Sequence, residues 1–377
     1  MSPFILAGFT AFLSLYAVQP LLPLFERVFG ADHFHSSLTV TATTVGVAIA
    51  APFVGRVADV CGKRLVIVTA SVLLSVTVLF AGTARSLSQI IAWRFAQGIA
   101  TPGVFAVAVA YIHDRWQGAR AATTTAAYVS GTVVGGFVGR VVAGQAAAIW
   151  GWRGSFVAVG AMSAVCALIL AVTLPREGQS AAGKGHGIEG RGRWSHLATR
   201  PLVGTYLAGF CVLFAQIAMF TYVTFHLAAP PFELSTAALG WLFTVYLAGA
   251  IITPISGRWI NRYGYRAALG IAIAIGVAGS ALTLGRTLAE VVAGLALVAS
   301  GVFVAQAAAN GYIGVAARSD RGLAVGMYAT CYYIGGSVGG AVPALFWTTG
   351  GWPACVALVI VVQLATAALG WAFWRQV

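Results

Sequence analysis

The sequence "GRVADVCGKR", Gly55–Arg64, is a polar phrase between two long apolar runs. A similar phrase, "GRWINRYGYR", occupies Gly257–Arg266, 202 residues later. Both phrases carry Gly, Arg, Gly and Arg at their first, second, eighth and tenth positions. A charged phrase repeated at this distance indicates two copies of one structural unit.

The composition indicates a membrane protein. Of the 377 residues, 59% are hydrophobic and only 8% are charged, with a mean hydropathy of +0.89. A soluble domain carries about 25% charged residues. The apolar runs are long enough for helices, which need roughly 20 residues to cross the hydrocarbon, whereas spanning strands would show short alternating segments. The sequence therefore predicts an all-α membrane protein.

The apolar runs divide into twelve predicted spans. Those of the first half are about 3–25, 37–54, 65–84, 89–111, 120–146 and 154–174. Those of the second half are about 201–228, 236–256, 267–285, 289–313, 323–346 and 353–374. We expect an N-terminal six-helix bundle (1–174), a flexible Gly-rich cytoplasmic linker (175–200) and a C-terminal six-helix bundle (201–377).

Further matches support the repeat. "YVSGTVVGG", Tyr128–Gly136, corresponds to "YYIGGSVGG", Tyr332–Gly340, and "ARSLSQIIA", Ala84–Ala92, corresponds to "GRTLAEVVA", Gly285–Ala293. Two parallel six-helix repeats can rock around a central site, which is the geometry of alternating access.

The basic residues predict the orientation. Sixteen of the 22 Lys and Arg fall on the side of the linker, four fall on the other side, and Arg94 and Arg140 lie inside spans. This bias places both termini in the cytoplasm. Basic loops facing anionic lipid account for the pI near 10 without nucleic acid as a partner. The five cysteines are scattered without a CxxC pair, so we expect neither a metal nor a cofactor.

At these residues the chain resembles the major facilitator superfamily over its whole length. The family's loop signature, G-x-L-A-D-x-x-G-R-K, is matched by Gly55, Asp59, Gly62 and Arg64 among others, and "RFAQG" at 94–98 matches the helix-four motif R-x-x-Q-G. The glycine-rich helix-five motif of exporters is partial, because Gly136 and Arg140 replace a proline and a glycine. Among branches, the chain is similar to bacterial inner-membrane efflux permeases of the arabinose-efflux and drug-export kind.

The resemblance implies a conformational latch in the first charged phrase, comprising Gly55, Asp59, Gly62 and Arg64. The Asp59 carboxylate would cap the start of the eleventh span near Gly322 and favour the state closed to the cytoplasm. Asn261 occupies the position of Asp59 in the second copy, so the latch is expected in one half only. The alternative is a solvated loop acid that only tunes topology.

The resemblance also implies that spans one, four, seven and ten line a cavity, flanked by two, five, eight and eleven. The candidate cavity residues are Tyr16, Gln19, Arg94, Gln97, Arg140, Gln216, Phe220, Tyr246, Gln306, Asn310 and Tyr332. Because no Asp or Glu lies near the middle of a span, Arg94 and Arg140 predict a positive cavity for solutes with an anionic group, with Arg94 as the main contact. The alternatives are snorkelling to the headgroups and bonding to backbone carbonyls and water.

Proton coupling is a family expectation. None of the nine acids lies near the middle of a span, so the usual buried proton-binding carboxylate is missing. Glu290 at the outer end of the tenth span is the first candidate for proton coupling, and Asp59 is the second. His33 and His35 form only a weak HxH metal pattern and are expected to be solvated or interfacial.

These observations predict a multi-pass secondary transporter of the bacterial inner membrane, which exports a small organic solute by alternating access with protons as the coupling ion. We expect a monomer whose partners are the solute, protons and the lipid bilayer. A facilitative uniporter or an uptake carrier is the alternative, and a receptor or enzyme on the same fold is a remote one. The enzyme alternative lacks a nucleophile–base pair, an HExxH motif and a phosphate-binding loop.

Overall fold

The computed structural model describes residues 3–175, 199–317 and 321–374. The side chains at positions 250, 253–256, 261, 321 and 322 are outside this description, and so are those of most of the predicted linker 175–200. Gly322, near the predicted partner of Asp59, and Asn261, which takes the position of Asp59 in the second copy, therefore lie outside the described side chains.

The described residues form thirteen α-helices and one short 3-10 helix, Gln19–Leu21. The helices are α1 (Pro3–Leu13), α2 (Leu22–Phe29), α3 (His33–Cys61), α4 (Lys63–Gly82), α5 (Leu87–Ala100), α6 (Pro102–Arg115), α7 (Gly118–Thr173), α8 (Arg200–Ala228), α9 (Thr236–Leu242), α10 (Val245–Leu282), α11 (Leu288–Ala316), α12 (Arg321–Ala341) and α13 (Pro343–Phe373). Eight helical segments in this part of the chain are long and apolar enough to cross a membrane. The all-α fold class is confirmed.

Three of the longest helices are kinked at glycines, and each contains parts of two predicted spans. The backbone leaves helical geometry at Gly151 in α7 (φ 70°), at Gly264 in α10 (φ 79°) and at Gly351 in α13 (φ 60°). Positive φ is accessible to glycine without steric cost. The fifth and sixth predicted spans thus both lie in α7.

The polar sequence of the first charged phrase suggested a loop, but nearly all of the phrase is helical. Helix α3 continues to Cys61 and α4 begins at Lys63, so that only Gly62 (φ 90°, ψ 135°) separates them. The polar residues extend the helix beyond the apolar run. A helix can continue there because its backbone hydrogen bonds are internal and its polar side chains can face water.

The first predicted span is interrupted. Helix α1 ends at Leu13, residues 14–18 form turns, and the chain becomes helical again in α2 after the 3-10 turn. Pro20 has no N–H to bond the Tyr16 carbonyl, so the hydrogen-bond pattern of an α-helix cannot continue through it. The seventh span, its counterpart in the second copy, is one continuous helix, α8.

The chain forms two compact units. Unit 1 comprises Met1–Gly187 together with Glu233–Phe243, and unit 2 comprises Ile188–Phe232 together with Thr244–Val377. Helix α9, which the sequence analysis assigned to the second bundle, thus belongs to unit 1. It packs on α7, where the Cα atoms of Gly240 and Gly144 lie close enough that a Cβ on either would crowd the other.

Glycine faces bring two helices together in each unit. A Cβ at Gly131, Gly135 or Gly139 of α7 would collide with a backbone carbonyl oxygen of α1. In unit 2, a Cβ at Gly335 or Gly339 of α12 would collide with a carbonyl oxygen of α8 in the same way. Small residues at this spacing allow helices to pack closely in lipid.

Candidate functional site

Arg94 is buried among protein oxygen atoms. Its side chain, on α5, is 1% exposed. The guanidinium donates from Nε to the Thr39 carbonyl (3.1 Å), from Nη1 to the Ser14 carbonyl (2.8 Å) and to Gln97 Oε1 (2.5 Å), and from Nη2 to the Leu15 carbonyl (2.5 Å). Four hydrogen bonds therefore surround this cation.

Two of these bonds hold the interruption of the first span. Ser14 and Leu15 directly follow the end of α1, where carbonyls lose their helical partners. Gln97 adds a bond from Nε2 to Ser14 Oγ at 2.6 Å. Our prediction that Arg94 is the main solute contact does not fit this arrangement, because its guanidinium is directed at backbone carbonyls. The alternative, in which Arg94 bonds to backbone carbonyls, describes the structure better.

Arg140 of α7 lies in a different environment. Its side chain is 4% exposed, Nε donates to Gln19 Oε1 (2.8 Å) and Nη1 donates to the Gly136 carbonyl (2.7 Å). The guanidinium carbon lies 5.1 Å from the ring centre of Tyr16 and 4.6 Å from that of Phe243. Such distances are typical of cation–π contacts.

Three predicted cavity residues, Tyr16, Gln19 and Arg140, are thus brought together in unit 1. Phe243 completes this group, and the sequence analysis missed it. It lies just after α9, in a segment that the repeat had assigned to the other bundle. No pattern in the sequence indicated that this segment would pack with unit 1.

A second group of predicted residues forms in unit 2. The ring centres of Phe220 and Tyr246 are 4.5 Å apart, and Gln216 Nε2 lies 3.4 Å from the Tyr246 hydroxyl. Phe303 of α11 adds its ring edge at 6.0 Å from Tyr246. Gln216 Oε1 is buried and has no hydrogen-bond partner within the described part of the protein. This oxygen can accept a bond from a solute donor or water.

The remaining cavity candidates lie on α11 and α12. Gln306 is half-buried and Asn310 is exposed, both on α11. Tyr332 of α12 is buried, and its ring stacks on Tyr328 with centres 5.7 Å apart. The structure describes no direct contact that joins these three residues into one group among the described side chains.

The predicted latch contains an ion-pair network. Lys63 Nζ lies 3.3 Å from Asp59 Oδ1 and 2.7 Å from Asp114 Oδ2, which links the phrase to the end of α6. Gly62 has the positive φ that favours glycine. A Cβ at Gly55 would meet no atom within 4 Å, so the described residues show no close backbone approach at Gly55. The sequence analysis missed Asp114 as the second carboxylate.

The last residue of each phrase explains why the phrase occurs twice. Arg64 donates from Nε to the Leu174 carbonyl (2.9 Å) and from Nη2 to the Ala171 carbonyl (2.6 Å), at the C-terminus of α7. Arg266 donates from Nη2 to the Trp371 carbonyl (2.5 Å) near the C-terminus of α13. A cation at a helix C-terminus satisfies carbonyls and complements the helix dipole. Each unit thus uses the phrase to hold its last helix.

Glu290 has a structural role that weighs against proton coupling. Its carboxylate accepts a bond from the backbone N–H of Thr287 (2.9 Å), and its own N–H donates to Thr287 Oγ1 (3.2 Å). This capping box begins α11 at an exposed position. Of the two predicted coupling acids, Glu290 therefore caps a helix and Asp59 pairs with Lys63.

Comparison with known proteins agrees with this architecture. The family model described as Major Facilitator Superfamily matches residues 4–235 and 227–377. The chain is 30% identical to the uncharacterized MFS-type transporter YybF of Bacillus subtilis (strain 168), over 94% of this chain and 88% of that protein. It is also 30% identical to the inner membrane transport protein YnfM of Escherichia coli (strain K12), over 95% of this chain and 87% of that protein.

Solved structures share the fold at low sequence identity. A bacterial homolog of the human lysosomal transporter Spinster matches with a TM-score of 0.80 and 16% identity, covering 98% of this chain and 95% of that one. The nucleoside transporter NupG matches with a TM-score of 0.77 and 14% identity, covering 99% of both chains. The chain therefore belongs to the Major Facilitator Superfamily and is a multi-pass secondary transporter of a small solute, not an enzyme.

Proposed function

We propose that this transporter exports a small organic solute with an anionic group across the bacterial inner membrane, in exchange for protons. The direction is supported by the partial exporter motif in α7 and by the resemblance to efflux permeases. The membrane is supported by the relative YnfM, an inner membrane transport protein. Both termini are proposed to be cytoplasmic, on the charge bias of the loops.

The substrate class rests on one observation, the environment of Arg140. A guanidinium that is 4% exposed lies between two aromatic rings and is oriented by the Gln19 amide. Arg recognises carboxylate and phosphate through its planar fork of donors. Arg94 also carries charge, but all four of its bonds go to protein oxygen atoms, two of them in the interrupted span. Arg140 therefore replaces Arg94 in this proposal as the group that selects an anionic solute.

The test is a counterflow screen in proteoliposomes with matched neutral and anionic solutes. We expect anionic solutes to be preferred by the wild type, and Arg140→Gln to abolish that preference. Arg140→Lys keeps the charge but loses the planar fork, so it should retain part of the preference. The exposed Arg85→Gln is the matched control. A preference for neutral or cationic solutes that Arg140→Gln leaves unchanged would contradict the proposed substrate class.

Direction and coupling need a separate measurement. An imposed pH gradient should drive the identified solute opposite to the proton flow if export occurs by antiport. Flux that ignores the pH gradient would favour the facilitative uniporter. Movement of solute and protons in the same direction would favour the uptake carrier.

A further inference from the structure

Two carboxylates and two imidazoles cluster where α2 joins α3, at the end of α3 opposite the charged phrase. His33 Nδ1 lies 3.1 Å from Glu26 Oε1, and His35 Nδ1 lies 2.7 Å from Asp32 Oδ1. Positive φ at Gly30 allows the tight connection between the two helices. The loop charges place this end on the outer side of the membrane in the proposed orientation.

The two pairs differ in burial. The Asp32 and His35 side chains are 63% and 61% exposed, and Asp32 also accepts the His35 backbone N–H at 2.7 Å as the N-cap of α3. The Glu26 and His33 side chains are only 21% and 32% exposed. Glu26 Oε1 itself is closed off from solvent and accepts no well-aligned hydrogen bond among the described residues. The Asp32–His35 pair therefore caps a helix, whereas Glu26 is a carboxylate with little compensation beyond His33.

The charged groups around Glu26 provide little positive charge to stabilise its ionised carboxylate. On α2, Arg27 donates to the Pro23 carbonyl (3.4 Å). On α7, Trp152 packs on the ring of Phe25, the residue before Glu26. Arg153 lies over the Trp152 ring and donates to the Ala84 carbonyl (3.0 Å). From the start of α3, the facing charged or titratable groups are those of Asp32, His33 and His35.

Burial is the larger cause that raises the pKa of Glu26, and the negative charge of Asp32 is the smaller one. Together they move the Glu26 pKa from 4.5 to about 7. The geometry and the charge distribution thus agree that the carboxylate holds its proton more tightly than a solvated glutamate does.

We propose that Glu26 and His33 form a proton-binding site that joins the outer segment α2 to the start of α3. The site takes up a proton from the outer solution as the pH falls through neutrality. At neutral pH one proton is shared between the Glu26 carboxylate and the His33 imidazole, and at higher pH a half-buried carboxylate faces a neutral ring. The proton site itself does not depend on the proposed function. Only its consequence rests on that function: Glu26 would supply the coupling or sensing acid that the spans lack.

The test is an infrared pH titration of the full chain in lipid nanodiscs, with the proton itself as the ligand. The readout is the C=O stretching band of a protonated carboxylic acid. We expect a band with a midpoint near pH 7 in the wild type, its loss in Glu26→Gln, and a lower midpoint in Asp32→Asn. Asp114→Asn, which removes a carboxylate at the other end of unit 1, is the matched control and should keep the band and its midpoint.

A band that titrates below about pH 5 in the wild type, or one that persists near pH 7 in Glu26→Gln, overturns the site. An unchanged midpoint in Asp32→Asn overturns the electrostatic argument, and this variant serves even if Glu26→Gln does not fold. The measurement needs no solute. A titration as expected, together with solute flux that ignores a pH gradient, therefore supports the proton site and rejects the proposed antiport.

Discussion

Replacing Arg94 with Leu should destabilise the protein before any effect on solute binding is considered. Leu occupies the corresponding position of the second copy, Leu295, where α8 is continuous and no carbonyls need an outside donor. In unit 1 the interrupted span requires donors, which Arg94 supplies to the carbonyls of Ser14 and Leu15, and Arg94 adds a bond to the Thr39 carbonyl inside α3. Arg94→Leu imitates the repeat while removing every one of these bonds.

The magnitude follows from the Ser14 and Leu15 carbonyl oxygens, because the Thr39 carbonyl keeps a bond from the Thr43 hydroxyl (3.3 Å). Leaving a buried acceptor unsatisfied costs about 1–3 kcal/mol, so two would cost roughly 2–6 kcal/mol if the terms were additive. The Ser14 carbonyl retains a long bond from the Ala17 N–H (3.4 Å), and the substitution also removes the desolvation cost of a buried cation. We therefore expect the lower part of the range, about 2–4 kcal/mol, and a melting temperature lower by roughly 3–5 °C for a chain of this length.

The assay is thermal unfolding of purified variants in one detergent. Arg94→Lys should fall between the wild type and Arg94→Leu, because an ammonium keeps the charge but lacks the planar fork that reaches carbonyls of two helices. The control is Arg85→Leu, since Arg85 is exposed in the same unit and the change in net charge is equal. If Arg94→Leu melts within about 2 °C of Arg85→Leu, the structural role of Arg94 is refuted.

Three further results are expected. Asp59→Asn should strongly lower solute flux with an unchanged melting temperature, because it keeps the shape and removes the latch charge; normal flux would reject the latch. Gly135→Ala should destabilise by about 1–3 kcal/mol in thermal melts, because its Cβ meets a carbonyl of α1. Gly136→Ala, whose Cβ meets Arg140 Nη1 at 3.3 Å and Phe12 Cβ at 3.9 Å but no backbone atom, should cost clearly less, and equal losses would contradict the packing argument. Because the Glu26 pKa is raised, its contribution to stability is fully present below about pH 4.5 and is lost as the pH rises through 7. Melting temperatures of Glu26→Gln should therefore decline less than those of the wild type over this pH range, and parallel profiles would contradict the shift.

Several properties of this protein follow from the sequence alone. The length and apolar character of the runs determine an all-α membrane protein, because a bilayer accepts only segments whose backbone bonds are satisfied internally. The repeat of Gly55–Arg64 at Gly257–Arg266 indicates two related units, and the motifs around Asp59 and Arg94 indicate the family. These are local or periodic features, and they need no knowledge of which helices are neighbours.

The functions of the individual polar residues were decided by the tertiary structure. Arg94 and Arg140 have similar sequence contexts, as lone cations in apolar spans. Yet Arg94 bonds carbonyls near Ser14, 80 residues earlier in the chain, whereas Arg140 lies between rings that include Phe243. Carbonyl groups carry no signature in the sequence, and their availability depends on where a distant helix is interrupted. The role of a buried cation is set by the acceptors and rings that folding places around it, and only the folded chain specifies those neighbours.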